Sequence, residues 1–411
     1  MQAAKSEGSE QWGLVVLVLG AGVVSAFQVG KAPLALGAVQ IDLGLGLATV
    51  SWLVSAFALI GALAGAPIGL VVDRIGARRM LLGGLGLQAV GSALGALADG
   101  AAFLLLTRTL EGLGFLAVLV ASPTLVVAIA APAIRDRAVA LWATFMPVGL
   151  TLVMLGAPLL GLLGWRGFWL ANAGLLAAYA LFFAYMMRTE VSHDAPPRAV
   201  LDDLKAAIAA PGPWGLAAIF TAFSAMYFAV FSFLPLILDQ RFGLGEELAG
   251  LLTAGVVAAG GVGNVACGLM LARGYRPSRL LAASFVTMAA GGFAILSQSS
   301  PFLLVSALAV GMSFMAGLIP VVLMDSVPRL APRPELAGVT IGFATQGNSL
   351  GMLAGPALAA GLAAHAGWTS VAILLTVLAA AALVVTRLLF RPHRVLARPP
   401  NLDFEPSREE L

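Results

Sequence analysis

The chain has 411 residues, 60% of them hydrophobic and only 10% charged, with 48 glycines, 22 prolines and a formal net charge of +3. That balance excludes an ordinary water-soluble enzyme, gives no reason to invoke nucleic acid, and places the molecule among polytopic membrane proteins. The single cysteine, Cys267, rules out an internal disulfide.

Apolar runs long enough to cross about 30 Å of hydrocarbon recur from Trp12 to Phe390. They are apolar on every face, unlike the ~10-residue alternation of a membrane β-barrel, so the spans are helices. The pattern predicts helices near 12–37, 48–72, 79–98, 101–130, 138–163 and 167–188. A second set follows near 214–238, 246–272, 279–298, 301–328, 336–364 and 369–390. The fold class expected is an all-α polytopic membrane protein of twelve transmembrane helices, with both ends on one side. The first run is too long for a signal-peptide core, and Lys5 is offset by Glu7 and Glu10, so it reads as a retained span.

The longest internal polar break, Arg188 to Pro213, divides six spans from six. The expected organisation is an N-terminal bundle over 1–188, a linker over 189–213, a C-terminal bundle over 214–390 and a tail over 391–411. Within the linker, Leu201, Leu204 and Ile208 at helical spacing predict a short interfacial helix between Pro197 and Pro211, with a flexible connection as the other reading. All but four of the 23 Lys and Arg fall on one side of this topology; Arg166 and Arg241 fall on the other, and Lys31 and Arg108 lie within spans. Basic residues translocate reluctantly, so the basic side, with both termini, is expected to be cytoplasmic.

The halves echo each other. "GAPLLGLLGW" (156–165) returns as "GPALAAGLAAHAGW" (355–368), and "GLVVDRIGARRML" (69–81) as "GLMLARGYRPSRL" (268–280), with Ala272 in place of the acid. Offsets of about 200 residues predict two pseudo-symmetric six-helix bundles, and parallel repeats of this kind place a substrate cavity between the halves near mid-membrane.

Gly69, Asp73, Arg74, Gly76, Arg78 and Arg79 resemble the signature loop of the major facilitator superfamily, and "RTLEGLG" (108–114) resembles its Arg-x-x-x-Gly-x-Gly motif. "FSFLPLIL" and "GNSLGMLAGP" are similar to bacterial cyanate-permease-like members. The resemblance implies alternating access in a bacterial inner membrane, with the first and fourth spans lining the central cavity. It also implies that Asp73 meets the eleventh span, near Glu335, as part of a reversible latch. Asp73, Arg74 and Arg78 are the gating candidates, with orientation of the chain as the alternative role for these charges.

Ionisable residues inside a membrane cost several kcal/mol unless they face a partner or a cavity. Lys31 and Arg108 lie at about the same depth, roughly 10 Å from the outer end of their spans, and Glu111 shares a helical face with Arg108. With the implied cavity, these three predict a pocket of net positive charge: Lys31 and Arg108 for an anionic substrate, Glu111 and Arg108 for proton coupling. Snorkelling is the alternative for Lys31. Asp325, just before Pro328, reads as a gating or helix-end contact. Gln28, Asn264, Gln346 and Asn348 are expected to orient substrate or join helices, and Tyr227 and Phe231, four apart, to form an apolar wall or gate. Trp165 and Trp368 read as interfacial anchors.

His193, His365 and His393 lack metal-ligand spacing, and no nucleophile triad or phosphate loop appears. No enzyme activity, metal or cofactor is therefore expected. The expectation is a monomeric secondary transporter taking up a small anion with protons among membrane lipids. Proton-driven drug export and a non-transporting sensor are the alternatives. "GAPLLG" resembles the glycine–proline motif of exporters but carries Ala157 where they have glycine.

Overall fold

The computed structural model describes residues 2–64, 75–131, 134–142, 144–188, 200–297, 299–333 and 336–390. Among them are helices and no strands. The first six membrane helices are α1 (Gln2–Leu34), α2 (Leu47–Ala64), α3 (Ala77–Ala96), α4 (Ala101–Ile129), α5 (Phe145–Leu155, continued over 157–163) and α6 (165–186). The second six are α7 (Pro211–Phe242), α8 (Gly245–Ala272), α9 (Pro277–Leu296), α10 (Phe302–Leu330), α11 (Ala337–Ala366) and α12 (Trp368–Leu389). Ten of the described helices are individually long and apolar enough to cross a bilayer. The count of twelve is reached with α3, whose first turn carries Arg78 and Arg79, and by dividing the long helix Ala157–Met186 at Gly164.

That division explains the sequence echo. Gly164 (φ 65°, ψ 172°) and Gly367 (φ 76°, ψ 170°) share a backbone conformation essentially reserved for glycine, and each is followed by the tryptophan that opens the next helix. The repeated Gly-Trp is thus one turn, on the face away from the basic loops, built twice. Gly44 pairs in the same way with Gly243, and Gly76 with Gly274, all at positive φ.

Packing repeats as well. In the first half α1 contacts α4, α5 and α6, while α3 contacts α4 and α6; in the second, α7 contacts α10, α11 and α12, while α9 contacts α10 and α12. The halves meet through α2 with α11 and through α5 with α8, an exchange that a two-fold axis requires. Small residues make the seams, as expected where lipid supplies no hydrophobic drive between helices. A Cβ on Gly347, Gly351 or Gly355 of α11 would lie 2.3, 2.3 or 2.5 Å from the carbonyls of Ala217, Thr221 and Ala225 on α7. Large apolar side chains such as Leu162, Leu181 and Leu303 are exposed and form the surface that lipid covers.

In the linker a helix spans Val200–Ala209, agreeing with the predicted short helix, and the Trp214 indole donates to the carbonyl of Ile208 at 2.9 Å. Asp73, Arg74 and Glu335, and with them the expected latch, lie outside the described residues. Arg78 is described: its guanidinium donates to the carbonyls of Met187 and Ala184, where α6 ends, so in this conformation it caps a helix of its own half.

Candidate functional site

Lys31 on α1 and Arg108 and Glu111 on α4 come together, completely buried. Lys31 Nζ lies 2.7 Å from Glu111 Oε1 and donates to Ser92 Oγ at 2.6 Å, and Ser92 in turn donates to the carbonyl of Trp169 at 2.8 Å. Arg108 pairs with the second carboxylate oxygen of Glu111 and donates from Nε to the carbonyl of Leu53 at 2.8 Å. Each cation lies over an aromatic ring, Lys31 over Trp169 and Arg108 over Phe57, both at 4.6 Å from the centroid. Two cations share one carboxylate, so the cluster is net positive when all three are ionised. One turn further along α1, Gln28 donates to Asn172 at 3.4 Å, and next to it Ser25 donates to Gln88 at 2.9 Å. The side chains of Gln28 and Arg108 each keep one buried polar atom without a partner.

The second half holds an uncharged counterpart. Gly91 backs onto the Glu111 side chain and Gly291 onto that of Met312, so Met312 stands where the first half has Glu111, and the repeat offset of about 200 residues sets Phe231 and Gly292 against Lys31 and Ser92. Phe231 stacks beneath Tyr227 (5.4 Å, 15°), and both border a small apolar pocket.

Between the halves lies a cavity of ≈ 1650 Å³. Its depth is aromatic, with Phe57 and Phe115 from the first half and Phe223 and Tyr227 from the second. Asn264 and Asn348 supply neutral polar groups there, while the charges Arg135, Arg276, Arg329 and Asp325 line the end where the basic loops gather. Asp325 Oδ2 is 3.7 Å from Arg329, one turn away. At the opposite end the halves touch: a Cβ on Gly250 of α8 would fall 2.5 Å from Ala157 and 2.6 Å from Leu34. The cavity therefore opens on the basic face.

This arrangement corrects one expectation. Lys31, Arg108, Glu111 and Gln28 do not line the cavity; Phe57 and Gly112 do. Burial in a low dielectric draws the ions onto one another, and α2 packs the Phe57 ring over the Arg108 guanidinium while Trp169 of α6 covers Lys31. Tyr227, Asn264, Asn348 and Asp325 reach the cavity wall, and Phe231 sits behind it. The rings of Phe57 and Phe115, 5.2 Å apart, are site components that sequence reading missed, because in an apolar span nothing separates a cavity phenylalanine from a packing one.

On the face opposite the basic loops, Trp165 is almost fully buried, and its indole donates to Asp42 at 2.9 Å, so it joins loops and does not anchor at the interface. Arg166 also pairs with Asp42 and donates to the carbonyl of Ala98 at 3.0 Å. The hydrogen bond from Trp165, followed by that from Arg166, holds the Asp42 carboxyl below its ordinary range. Trp368 packs edge-on against Phe233 at 5.6 Å.

The family profile described as Major Facilitator Superfamily matches residues 18–331 and 233–410. No individually curated sequence matches the chain. Among solved structures, a bacterial homologue of the human lysosomal transporter Spinster, described as inward-facing and unoccupied, is similar with a TM-score of 0.73 at 15% identity, over 94% of this chain and 99% of that one. The same homologue, described as inward-facing and occupied, is similar with a TM-score of 0.73 at 15% identity over 93% and 96%. At that identity the likeness is one of fold.

Proposed function

The chain belongs to the major facilitator superfamily and is a multi-pass membrane transporter, and from that premise we propose that it carries an amphipathic organic anion by alternating access, coupled to protons through Glu111. The observation that carries the substrate class is the division of the cavity into an aromatic depth and an arginine-bearing mouth. The predominantly apolar wall of its depth favours a solute with an apolar body over the small anion expected from the sequence. An apolar body fits among Phe115, Phe223 and Tyr227, Asn264 and Asn348 orient its polar atoms, and Arg135 and Arg276 attract its acid.

The coupling role belongs to the Lys31–Glu111–Arg108 cluster. Protonating Glu111 leaves two buried cations without their counter-ion, a change large enough to alter how α1 is held to α4. Symport suits an anion: with a proton beside it the transported unit is neutral, and an interior-negative potential, worth ~2.3 kcal/mol per charge per 100 mV, does not oppose entry. We take the basic face as cytoplasmic by the distribution of Lys and Arg, in a bacterial inner membrane, with a monomer as the working unit. Gating falls to Asp325, with Arg329, and to the loop carrying Asp73, Arg74 and Arg78.

The aromatic wall would also accept an amphipathic cation, the exporter alternative. Proteoliposome flux of naphthalene sulfonate, methanesulfonate and ethidium separates these readings, since a sulfonate stays ionised and cannot cross as a neutral acid. Uptake of naphthalene sulfonate well above methanesulfonate supports the proposal; ethidium flux in its place supports export, and methanesulfonate flux restores the small-anion reading.

A further inference from the structure

Phe57 occupies an unusual position: its ring lines the substrate cavity on one side and carries the Arg108 guanidinium on the other. It lies in the middle of a 3-10 stretch, Ala56–Ala58, that interrupts α2 within the membrane. A short 3-10 segment inside a span has poorer hydrogen bonds than the α-helix around it and often marks a hinge. The same part of α2 is tied to α4 twice by backbone. Leu53 offers its carbonyl to Arg108, and a Cβ on Gly112 would lie 1.8 Å from the carbonyl of Phe57, so no other residue fits there. One turn beyond the 3-10 stretch, α2 meets the other half: Gln346 of α11 donates to the carbonyl of Ala62 at 2.9 Å, and Gly61 packs on Ser349.

Four things therefore converge on ten residues of one helix, 53–62: cavity, charge cluster, hinge and inter-half contact. We infer that Phe57 and its 3-10 hinge form the transmission element, through which the charge state of the Lys31–Glu111–Arg108 cluster and occupation of the cavity bias the packing of α2 on α11. This rests on the coupling role proposed above and adds the residue that communicates it. When Glu111 is ionised, Arg108 is held between its carboxylate, the Leu53 carbonyl and the Phe57 ring. When Glu111 takes a proton, the guanidinium loses its counter-ion and leans on the two α2 contacts, shifting the hinge. A solute pressing on Phe57 from the cavity acts on the same guanidinium in reverse, as reciprocity demands. The titrating groups facing this point are Lys31 from α1 and Arg108 and Glu111 from α4; α3 and α6 present Ser92 and Trp169, which do not titrate.

The test needs no substrate. Spin labels at Arg137→Cys and Arg273→Cys, exposed positions of the two halves on the basic face, are placed in a Cys267→Ser background and the protein is reconstituted in lipid nanodiscs. Electron–electron distance measurements then read the ratio of open to closed molecules with Glu111 and with Glu111→Gln, which removes the carboxylate charge as a proton would. That substitution should change the ratio by about five- to a hundredfold, the usual range of coupling between sites. In a Phe57→Leu background the change should be lost, and with Phe57→Tyr, which keeps the ring, it should be retained. Phe57→Met replaces the leucine variant if thermal melting shows that Phe57→Leu does not fold. A full response to Glu111→Gln in Phe57→Leu or Phe57→Met, or its loss in Phe57→Tyr as well, overturns the role of the ring. A ratio unmoved by Glu111→Gln instead refutes coupling through Glu111, and this inference falls with it.

Discussion

Glu111 and Lys31, 80 positions apart in sequence, bring a carboxylate oxygen and an ammonium nitrogen to 2.7 Å with neither residue exposed. Such a pair is a poor source of net stability, because desolvating two ions costs about what their attraction returns. Leucine would pack in this span at less cost, so stability alone does not account for the pair, and the coupling role proposed above does.

Breaking this pair should depend on which side is removed. Glu111→Gln leaves Lys31 and Arg108 buried without a counter-ion and should destabilise by roughly 3–5 kcal/mol. Lys31→Met, which leaves the Arg108–Glu111 pair and no excess charge, should cost clearly less. Thermal melting of the purified variants orders them; equal losses would show that the ions act independently.

The Asp42 staple, on the face opposite the basic loops, gives a pH prediction whose sign is fixed. Because the folded protein holds the Asp42 carboxyl below its ordinary range, the staple contributes above the unfolded value of about 3.9 and is lost as pH falls through the lower, folded value. Asp42→Asn should therefore lower the melting temperature at neutral pH, and the difference from the parent should shrink in strongly acidic buffer. A difference growing with acidity would reverse the assignment.

Gly351 and Gly361 share α11 and should respond oppositely. A side chain at Gly351 meets the carbonyl of Thr221 at 2.3 Å, whereas Gly361 has open space. Gly351→Val should unseat α7 from α11 and abolish the folded, monodisperse species on size exclusion. Gly361→Ala should be neutral or stabilise by about 0.4–1 kcal/mol through loss of backbone freedom in the unfolded chain.

In the cavity, Phe223→Ala removes one face of the ladder formed by Phe223, Tyr227 and Phe231, whose neighbouring rings stack at 5.9 and 5.4 Å. Naphthalene sulfonate binding, followed by quenching of the cavity residue Trp142, should weaken by about tenfold, corresponding to ~1.4 kcal/mol. Unchanged binding would move the ligand away from α7.

Much of this architecture is legible in the sequence because the bilayer permits few solutions. Hydropathy places the spans, and the Gly-Trp echo marks a turn that only glycine makes. The grouping of Lys31 with Arg108 and Glu111 follows from equal depth and from a three-residue spacing, both one-dimensional quantities. Their relation to the cavity is not: it depends on how α2 bends, and the 3-10 break at Ala56–Ala58 has no glycine or proline to announce it. Ser51, whose hydroxyl turns back to the carbonyl of Ala48 at 2.8 Å, is the nearest available signal of an irregular α2. Arg78 was unreadable for a similar reason, since its partners are backbone carbonyls of a helix more than a hundred residues away.

Proton coupling through Glu111 is tested most directly by flux under an imposed pH gradient. Accumulation of naphthalene sulfonate in proteoliposomes should require an acidic exterior and fall to the level of empty vesicles in Glu111→Gln, while counterflow without a gradient persists in the variant. Uptake indifferent to the gradient, or driven equally well in Glu111→Gln, would contradict it.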